Sequence, residues 1–185
     1  MANYHGVHTK QTILDAFGNA NNEIEDFFST MPLDSFVGQS STEWHGAQIL
    51  EHLVKLIEAI ATGLALPKEF IRKKGGYPEK VSGSFEDIRG RYLQALADGA
   101  QSPEAYYPPD RSIAMDGTAY KQQLLATWRS ANDQLRRNIE SWTEVELDQY
   151  LLLHPLLGKM TVREVLFCAL CHNQGHLDSE RNRMA

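Results

Sequence analysis

Residues 161–183 read TVREVLFCALCHNQGHLDSERNR, and this stretch decides both the fold class and the candidate site. Thr161, followed three residues later by Glu164, forms a capping box that is typical of a helix N-terminus. On a helical wheel of about 100° per residue with Val165 at zero, His172 falls near about −20° and His176 near about +20°. The two histidines therefore continue the apolar face. The stretch predicts an amphipathic helix that points two imidazoles into the core.

Three further long helices are predicted from apolar residues that recur every three or four positions. They cover about residues 9–31, 43–66 and 118–142, and Pro32 and Pro67 end the first two. Ser41-Thr42 precedes the second helix as a start signal. No segment shows sustained alternation of apolar and polar residues, so we expect strands to be absent or minor.

The connection between the second and third helices is long and rich in glycine and proline. Residues 66–117 are broken repeatedly by glycine and proline, yet a shorter helix is predicted at about residues 84–98. We expect its apolar side to comprise Phe85, Ile88, Tyr92, Leu93 and Leu96. The sequence therefore predicts one all-α domain over residues 1–185, a four-helix bundle with a long crossover at about 66–117.

The composition limits the partners of the chain. It has 185 residues, a formal net charge of −6 and 42% hydrophobic residues, as expected for a globular domain. An acidic chain without a basic cluster suits neither nucleic acid nor anionic lipid, and no apolar stretch approaches about 18 residues. No signal peptide is visible, and Cys168 and Cys171 are the only cysteines. We therefore expect a cytoplasmic protein without nucleic-acid or membrane partners and without a disulfide framework.

A third histidine lies in the second predicted helix. His52 falls at the border of the apolar stripe, and the small residues Ala59 and Gly63 on later turns leave room beside it. Three neutral imidazoles suit zinc, nickel or another divalent transition ion, and three protein ligands leave coordination positions open. Inward histidines are also common as hydrogen-bonded core residues, and the sequence alone does not bring the second and fourth helices together.

Three segments carry a resemblance to a known family. They are WHGAQILEH at residues 44–52, HPLLGKMTVRE at 154–164 and HNQGH at 172–176. In this order they resemble the DinB/YfiT-like superfamily of four-helix metalloproteins. The resemblance implies an up-up-down-down bundle, a metal site on His52, His172 and His176, and frequent homodimers. Some members are transferases that use the thiols mycothiol or bacillithiol, or related isomerases. The long crossover departs from the family pattern, so the substrate class does not transfer.

These observations lead to competing hypotheses about function. The first is a metal-dependent enzyme, a thiol-dependent transferase or a hydrolase, that acts on a small electrophilic substrate. Its cofactors would be one divalent transition metal, with zinc or nickel favoured over manganese or iron, and a low-molecular-weight thiol. The alternatives are a non-catalytic metal-binding or sensing protein and a purely structural bundle. As candidate catalytic residues we name His45 and Glu180. We expect Cys168 and Cys171 to pack in or near the core rather than to act as a redox pair or as further metal ligands, and we expect His154 to be structural.

Overall fold

The computed structural model describes residues 4, 6–38, 44–108 and 116–185 of the chain. About 72% of this part is helical, and a small two-stranded sheet is its only strand structure. The prediction of a mostly helical protein is therefore confirmed. The elements in order are α1 (Lys10–Thr30), α2 (Leu33–Val37), α3 (Gly46–Ala65), α4 (Lys68–Gly75), α5 (Phe85–Ala97), a 3-10 helix (Glu104–Tyr106), α6 (Gly117–Glu140), α7 (Glu146–Gln149), β1 (Leu151–His154), β2 (Gly158–Thr161) and α8 (Val162–Met184).

The four long predicted helices correspond to α1, α3, α6 and α8, with ends within a few residues of those expected. The predicted start signal at residues 41–43 lies outside the described part of the chain, and α3 begins at Gly46 with His45 as its N-cap. Thr161 caps α8 as predicted, because its side chain accepts from the Glu164 N–H while the Glu164 carboxylate accepts from the Thr161 N–H at 3.0 Å. None of the helices described is long and apolar enough to cross a membrane.

Helices α1 and α6 run in opposite directions. At one end, Lys10 Nζ donates to the carbonyl oxygen of Trp142 at 2.9 Å. At the other end, Lys121 Nζ donates to the carbonyl oxygen of Met31 at 2.6 Å. The chain also reverses between α1 and α3, because Gly46 at the start of α3 lies against Met31 just after α1.

Helices α3 and α6 run in the same direction. Tyr120 donates to the Glu51 carboxylate at 2.5 Å near the start of both helices, and Asn138 donates to the carbonyl of Ala61 at 2.6 Å towards their ends. This follows from the long crossover, which carries the chain back along the length of α3 before α6 begins.

Helix α8 runs parallel to α1, which gives an up-down-down-up order. Arg163 near the start of α8 donates to the carbonyl of His8, and Arg181 near its end pairs with Glu23 of α1 at 3.3 Å. The expected up-up-down-down order is therefore wrong. The short connection through α2 reverses the chain immediately, so the first two long helices are antiparallel. Both α1 and α3 pack against α6 and α8, and the core lies between these four helices.

The crossover contains the predicted short helix, but its buried face is narrower than expected. Phe85, Ile88 and Tyr92 of α5 are buried, and α5 packs against α8. Leu93 and Leu96 are 47% and 41% exposed, so placing them on the buried side was wrong. A helix that packs against one neighbouring helix buries a single stripe, and these two leucines lie outside it.

A short hairpin connects α7 to α8. Strands β1 and β2 are antiparallel, with His154 opposite Gly158 at the turn. Gly158 has a φ of 74°, a left-handed conformation that glycine adopts without strain. The hairpin leads directly into the N-terminus of α8 and so places His154 beside the first turns of that helix.

Candidate metal centre

The three predicted ligands lie together between α3 and α8. Each of His52, His172 and His176 offers a ring nitrogen within 4.8 Å of the other two, and the ring centroids are 4.6–5.0 Å apart. The Nε2 atoms of His52 and His172 are 2.9 Å apart. The structure thus supplies the contact between α3 and α8 that the sequence could not establish.

A backbone carbonyl sets the tautomer of His52. Its Nδ1 lies 2.8 Å from the carbonyl oxygen of Tyr106 in the 3-10 helix of the crossover. A carbonyl oxygen only accepts, so Nδ1 must carry the proton and Nε2 of the neutral ring presents its lone pair. Since Nε2 faces His172, His52 is oriented as a metal ligand whose other nitrogen is bonded to a carbonyl, a common arrangement in metal sites.

Aromatic side chains pack on the outer side of His52. The Trp44 ring lies 5.1 Å from the His52 ring between centroids, and Tyr107 lies 5.5 Å from Trp44. Lys55 donates to the carbonyl of Tyr107, so two residues of α3 hold the crossover at this point. The tryptophan of the sequence motif therefore limits the movement of the histidine that follows it by eight positions.

All three imidazoles are held in the neutral form. Burial lowers the pKa of His52, and burial lowers the pKa of His176 to about 4. Burial also lowers the pKa of His172 well below its ordinary value, and the neighbouring imidazoles of His176 and His52 lower it further. Neutral imidazoles bind metals and protonated ones do not, so the ligands need not lose a proton near neutral pH.

The nitrogens lie close to the spacing that a transition metal requires. Zinc–nitrogen bonds of about 2.0–2.1 Å in a tetrahedral site place two ligand nitrogens about 3.3 Å apart. The distance of 2.9 Å between the Nε2 atoms of His52 and His172 lies just below this value, and the limit of 4.8 Å for the whole set lies above it, so the rings must shift to hold one ion. Nδ1 of His172 is buried and has no hydrogen-bond partner in the described part of the chain. Since Nε2 of His172 faces His52, this unpaired nitrogen is the one that is directed away from the cluster.

A cavity of about 160 Å³ opens beside His52 and His172. Its walls are mainly apolar side chains from α3, the hairpin and α8, namely Leu56, Ala59, Ile60, Gly63, Leu152, Leu153, Pro155, Leu156, Val165 and Ala169. The crossover contributes Tyr92, Ser102 and Tyr106. The cluster is thus adjacent to a space that can hold a small molecule.

The two candidate catalytic residues, His45 and Glu180, form a helix cap and an ion pair. His45 caps α3, with its Nδ1 at 2.9 Å from the carbonyl of Phe36, and it stands seven residues, about 10 Å along the axis, from His52. Glu180 is buried and pairs with Arg183 at 2.5 Å. These contacts give both residues structural roles, and their catalytic roles stay predictions.

Sequence reasoning missed the position of His154, which lines the cavity together with Cys168. Nδ1 of His154 accepts from the N–H groups of Leu156 and Leu157, both at 3.2 Å, and its Nε2 lies 3.3 Å from Cys168 Sγ. Cys168 and Cys171 are both buried free thiols, so the prediction that they pack in the core is confirmed. The sequence His154-Pro155 indicates a turn at this point. It gives no indication that the His154 ring faces a cavity.

Comparison of the chain with protein-family models, with curated proteins and with solved structures finds no match. The function is therefore inferred from the geometry of the site.

Proposed function

We propose that this protein is a divalent-metal-dependent enzyme of the DinB/YfiT-like type, with the ion bound by His52, His172 and His176. The four long helices would then form a four-helix bundle, in the up-down-down-up order described above and not in the order that the resemblance implied. The reaction is a thiol-dependent transfer or a hydrolysis at a small electrophilic substrate. The observation that carries the proposal is the group of three neutral imidazole nitrogens within 4.8 Å beside a cavity of about 160 Å³.

The chain's own groups account for ligand orientation and for the exclusion of water. The Tyr106 carbonyl keeps the lone pair of His52 Nε2 directed at the cluster. Burial keeps the imidazoles neutral, and the apolar cavity walls limit the access of bulk water to a bound substrate. A divalent ion bound there supplies positive charge that polarises an electrophile or lowers the pKa of a water or thiol. Zinc or nickel suits three nitrogen ligands best, and manganese or iron follows.

A non-catalytic metal-binding or sensing protein is the alternative. It would not need a cavity at the ion, whereas an enzyme needs space for a substrate at open coordination positions. The cavity beside His52 and His172 therefore favours the enzyme.

Metal titration of the untagged protein tests the ligand set, with an indicator that competes for zinc or nickel. We expect about one ion per chain in the wild type and a large loss of affinity in His52→Ala, His172→Ala and His176→Ala. The matched control is His8→Ala, because His8 is exposed and its side chain lies outside the cluster. Equal affinity in all four variants would show that the ion binds elsewhere.

Activity is tested on the zinc-loaded protein with two model reactions. One is conjugation of a low-molecular-weight thiol to a chloronitrobenzene, and the other is hydrolysis of an activated ester. The enzyme proposal expects one of these rates to depend on zinc and on His172. Tight metal binding with no metal-dependent rate in either reaction would favour the sensing alternative.

A further inference from the structure

The hairpin turn fixes which nitrogen of His154 carries the proton. Nδ1 accepts two backbone N–H groups, from Leu156 and Leu157, at 3.2 Å each. An atom that accepts two such bonds cannot itself be a donor, so the proton of the neutral ring must be on Nε2. Burial lowers the pKa of His154 to about 4, so the ring is neutral at physiological pH. His154 therefore presents one N–H group in a fixed direction.

Among the residues that the structure describes, this N–H group has only a weak acceptor. Nε2 of His154 lies 3.3 Å from Sγ of Cys168, and both residues line the cavity. A thiol sulfur is a poor acceptor compared with a carbonyl oxygen. Burial raises the pKa of Cys168 to about 12, so the sulfur is an uncharged thiol rather than a thiolate that would hold the donor tightly. An oxygen atom that enters the cavity can therefore replace the sulfur as the partner of this donor.

The size and walls of the cavity restrict what enters. A cavity of about 150 Å³ lined by apolar side chains is large enough to bind benzene, and this cavity measures about 160 Å³. Its walls are mostly aliphatic, with Leu56, Ile60, Leu156 and Val165 among them. No carboxylate and no lysine or arginine lines it in the described part of the chain. The space therefore suits an uncharged group of about one ring.

We infer that the cavity binds an uncharged, largely apolar substrate moiety of about one ring that carries a hydrogen-bond-accepting oxygen, and that His154 donates its Nε2–H to this oxygen. His154 is thus a substrate-binding and specificity-determining residue. The inference names the substrate class for the proposed enzyme and rests on that function. The oxygen would lie close to the metal site, because His154 lines the same cavity as two of the three proposed ligands, His52 and His172.

Two probes of nearly equal shape test the inference. Acetophenone carries a carbonyl oxygen, and ethylbenzene lacks one. Dissociation constants are measured from the methyl NMR shifts of cavity residues such as Leu56 and Val165, with and without zinc. The metal-free protein is the decisive sample, since no ion can attract the ketone there. One hydrogen bond contributes about 0.5–1.5 kcal/mol, so we expect acetophenone to bind about threefold to tenfold more tightly than ethylbenzene.

The matched variant is His154→Asn. An asparagine side-chain oxygen accepts the N–H groups of residues two and three positions later, so the turn is kept while the Nε2–H is lost. We expect the preference for acetophenone to disappear in this variant. In Cys168→Ala the competing sulfur is absent, so the preference should be at least that of the wild type.

A second measurement on the wild-type protein does not depend on how the variants fold. The proton shift of the His154 Nε2–H, followed in protein labelled with ¹⁵N-histidine, should move with acetophenone and much less with ethylbenzene. Equal affinity for the two probes, binding of neither, or a preference kept in His154→Asn would overturn the inference. If zinc binds normally but the preference is absent, the inference fails and the proposed function stands. If the preference is present but no metal binds, the proposed function fails.

Discussion

The metal-free protein should lose stability in acid because the clustered histidines must remain neutral in the fold. His176 has a pKa of about 4 in the folded state, and an unfolded histidine titrates near about 6.5. Between these values the unfolded chain binds more protons than the folded one, so stability falls as the pH is lowered. The contribution of neutral His176 is fully present above about pH 6.5 and is lost as the pH falls towards about 4.

The magnitude follows from the two pKa values. One pKa unit corresponds to about 1.4 kcal/mol, so the difference of about 2.5 units gives an upper limit of about 3 kcal/mol. Integrating from neutral pH to pH 5 gives a loss of about 2 kcal/mol from His176 alone. Losses from His52 and His172 add to this value, because burial also lowers the pKa of each of them.

Urea unfolding in the presence of a chelator measures this effect at pH 7, 6 and 5. The change is His176→Gln, which removes the titrating ring, and the control is His8→Gln at an exposed position. We expect the loss of unfolding free energy between pH 7 and pH 5 to be about 2 kcal/mol smaller in His176→Gln than in the wild type. His8→Gln should follow the wild type. If all three proteins lost stability to the same extent, the pKa of His176 in the folded protein would not be lowered, which would contradict the prediction.

The remaining predictions concern the metal, a cap and an ion pair. His172→Ala should abolish metal binding and leave the helical circular dichroism nearly unchanged, because the core extends along four long helices. If a chelator unfolded the wild-type protein, this expectation would be contradicted. Thr161→Ala removes the cap of α8 and should cost about 1 kcal/mol in urea unfolding, so a change near zero would be unexpected. Arg163→Met removes a buried guanidinium that forms ion pairs with Asp148 and Glu144. We expect the free energy of unfolding to fall by about 1–3 kcal/mol at low salt, and an unchanged value would show that these ion pairs are dispensable.

Helical periodicity was enough to predict the long helices and two of the three clustered histidines. His172 and His176 are four residues apart on one helix, so local geometry places them side by side whatever the rest of the chain does. His52 is different, because its approach to them depends on the packing of α3 against α8. The resemblance suggested that packing, and the sequence pattern alone did not.

Long-range contacts explain the features that the sequence did not predict. The carbonyl of Tyr106 contacts His52 although the two residues are 54 positions apart. Because every residue type has a backbone carbonyl, the sequence cannot show which one will make this contact. His154 lines the cavity because the hairpin turns back onto α8, where its ring meets Cys168. The direction of each helix depends on whether the preceding connection reverses the chain at once or runs back along the previous helix. Helical periodicity does not distinguish between these two cases.

Anomalous diffraction from crystals of the zinc-loaded, untagged protein would locate the bound ion and identify its ligands. We expect one peak per chain, about 2.0–2.1 Å from a ring nitrogen of each of His52, His172 and His176, with an open coordination position facing the cavity. A peak at another place, or a fourth protein side chain that closes the shell with no path to solvent, would contradict this expectation.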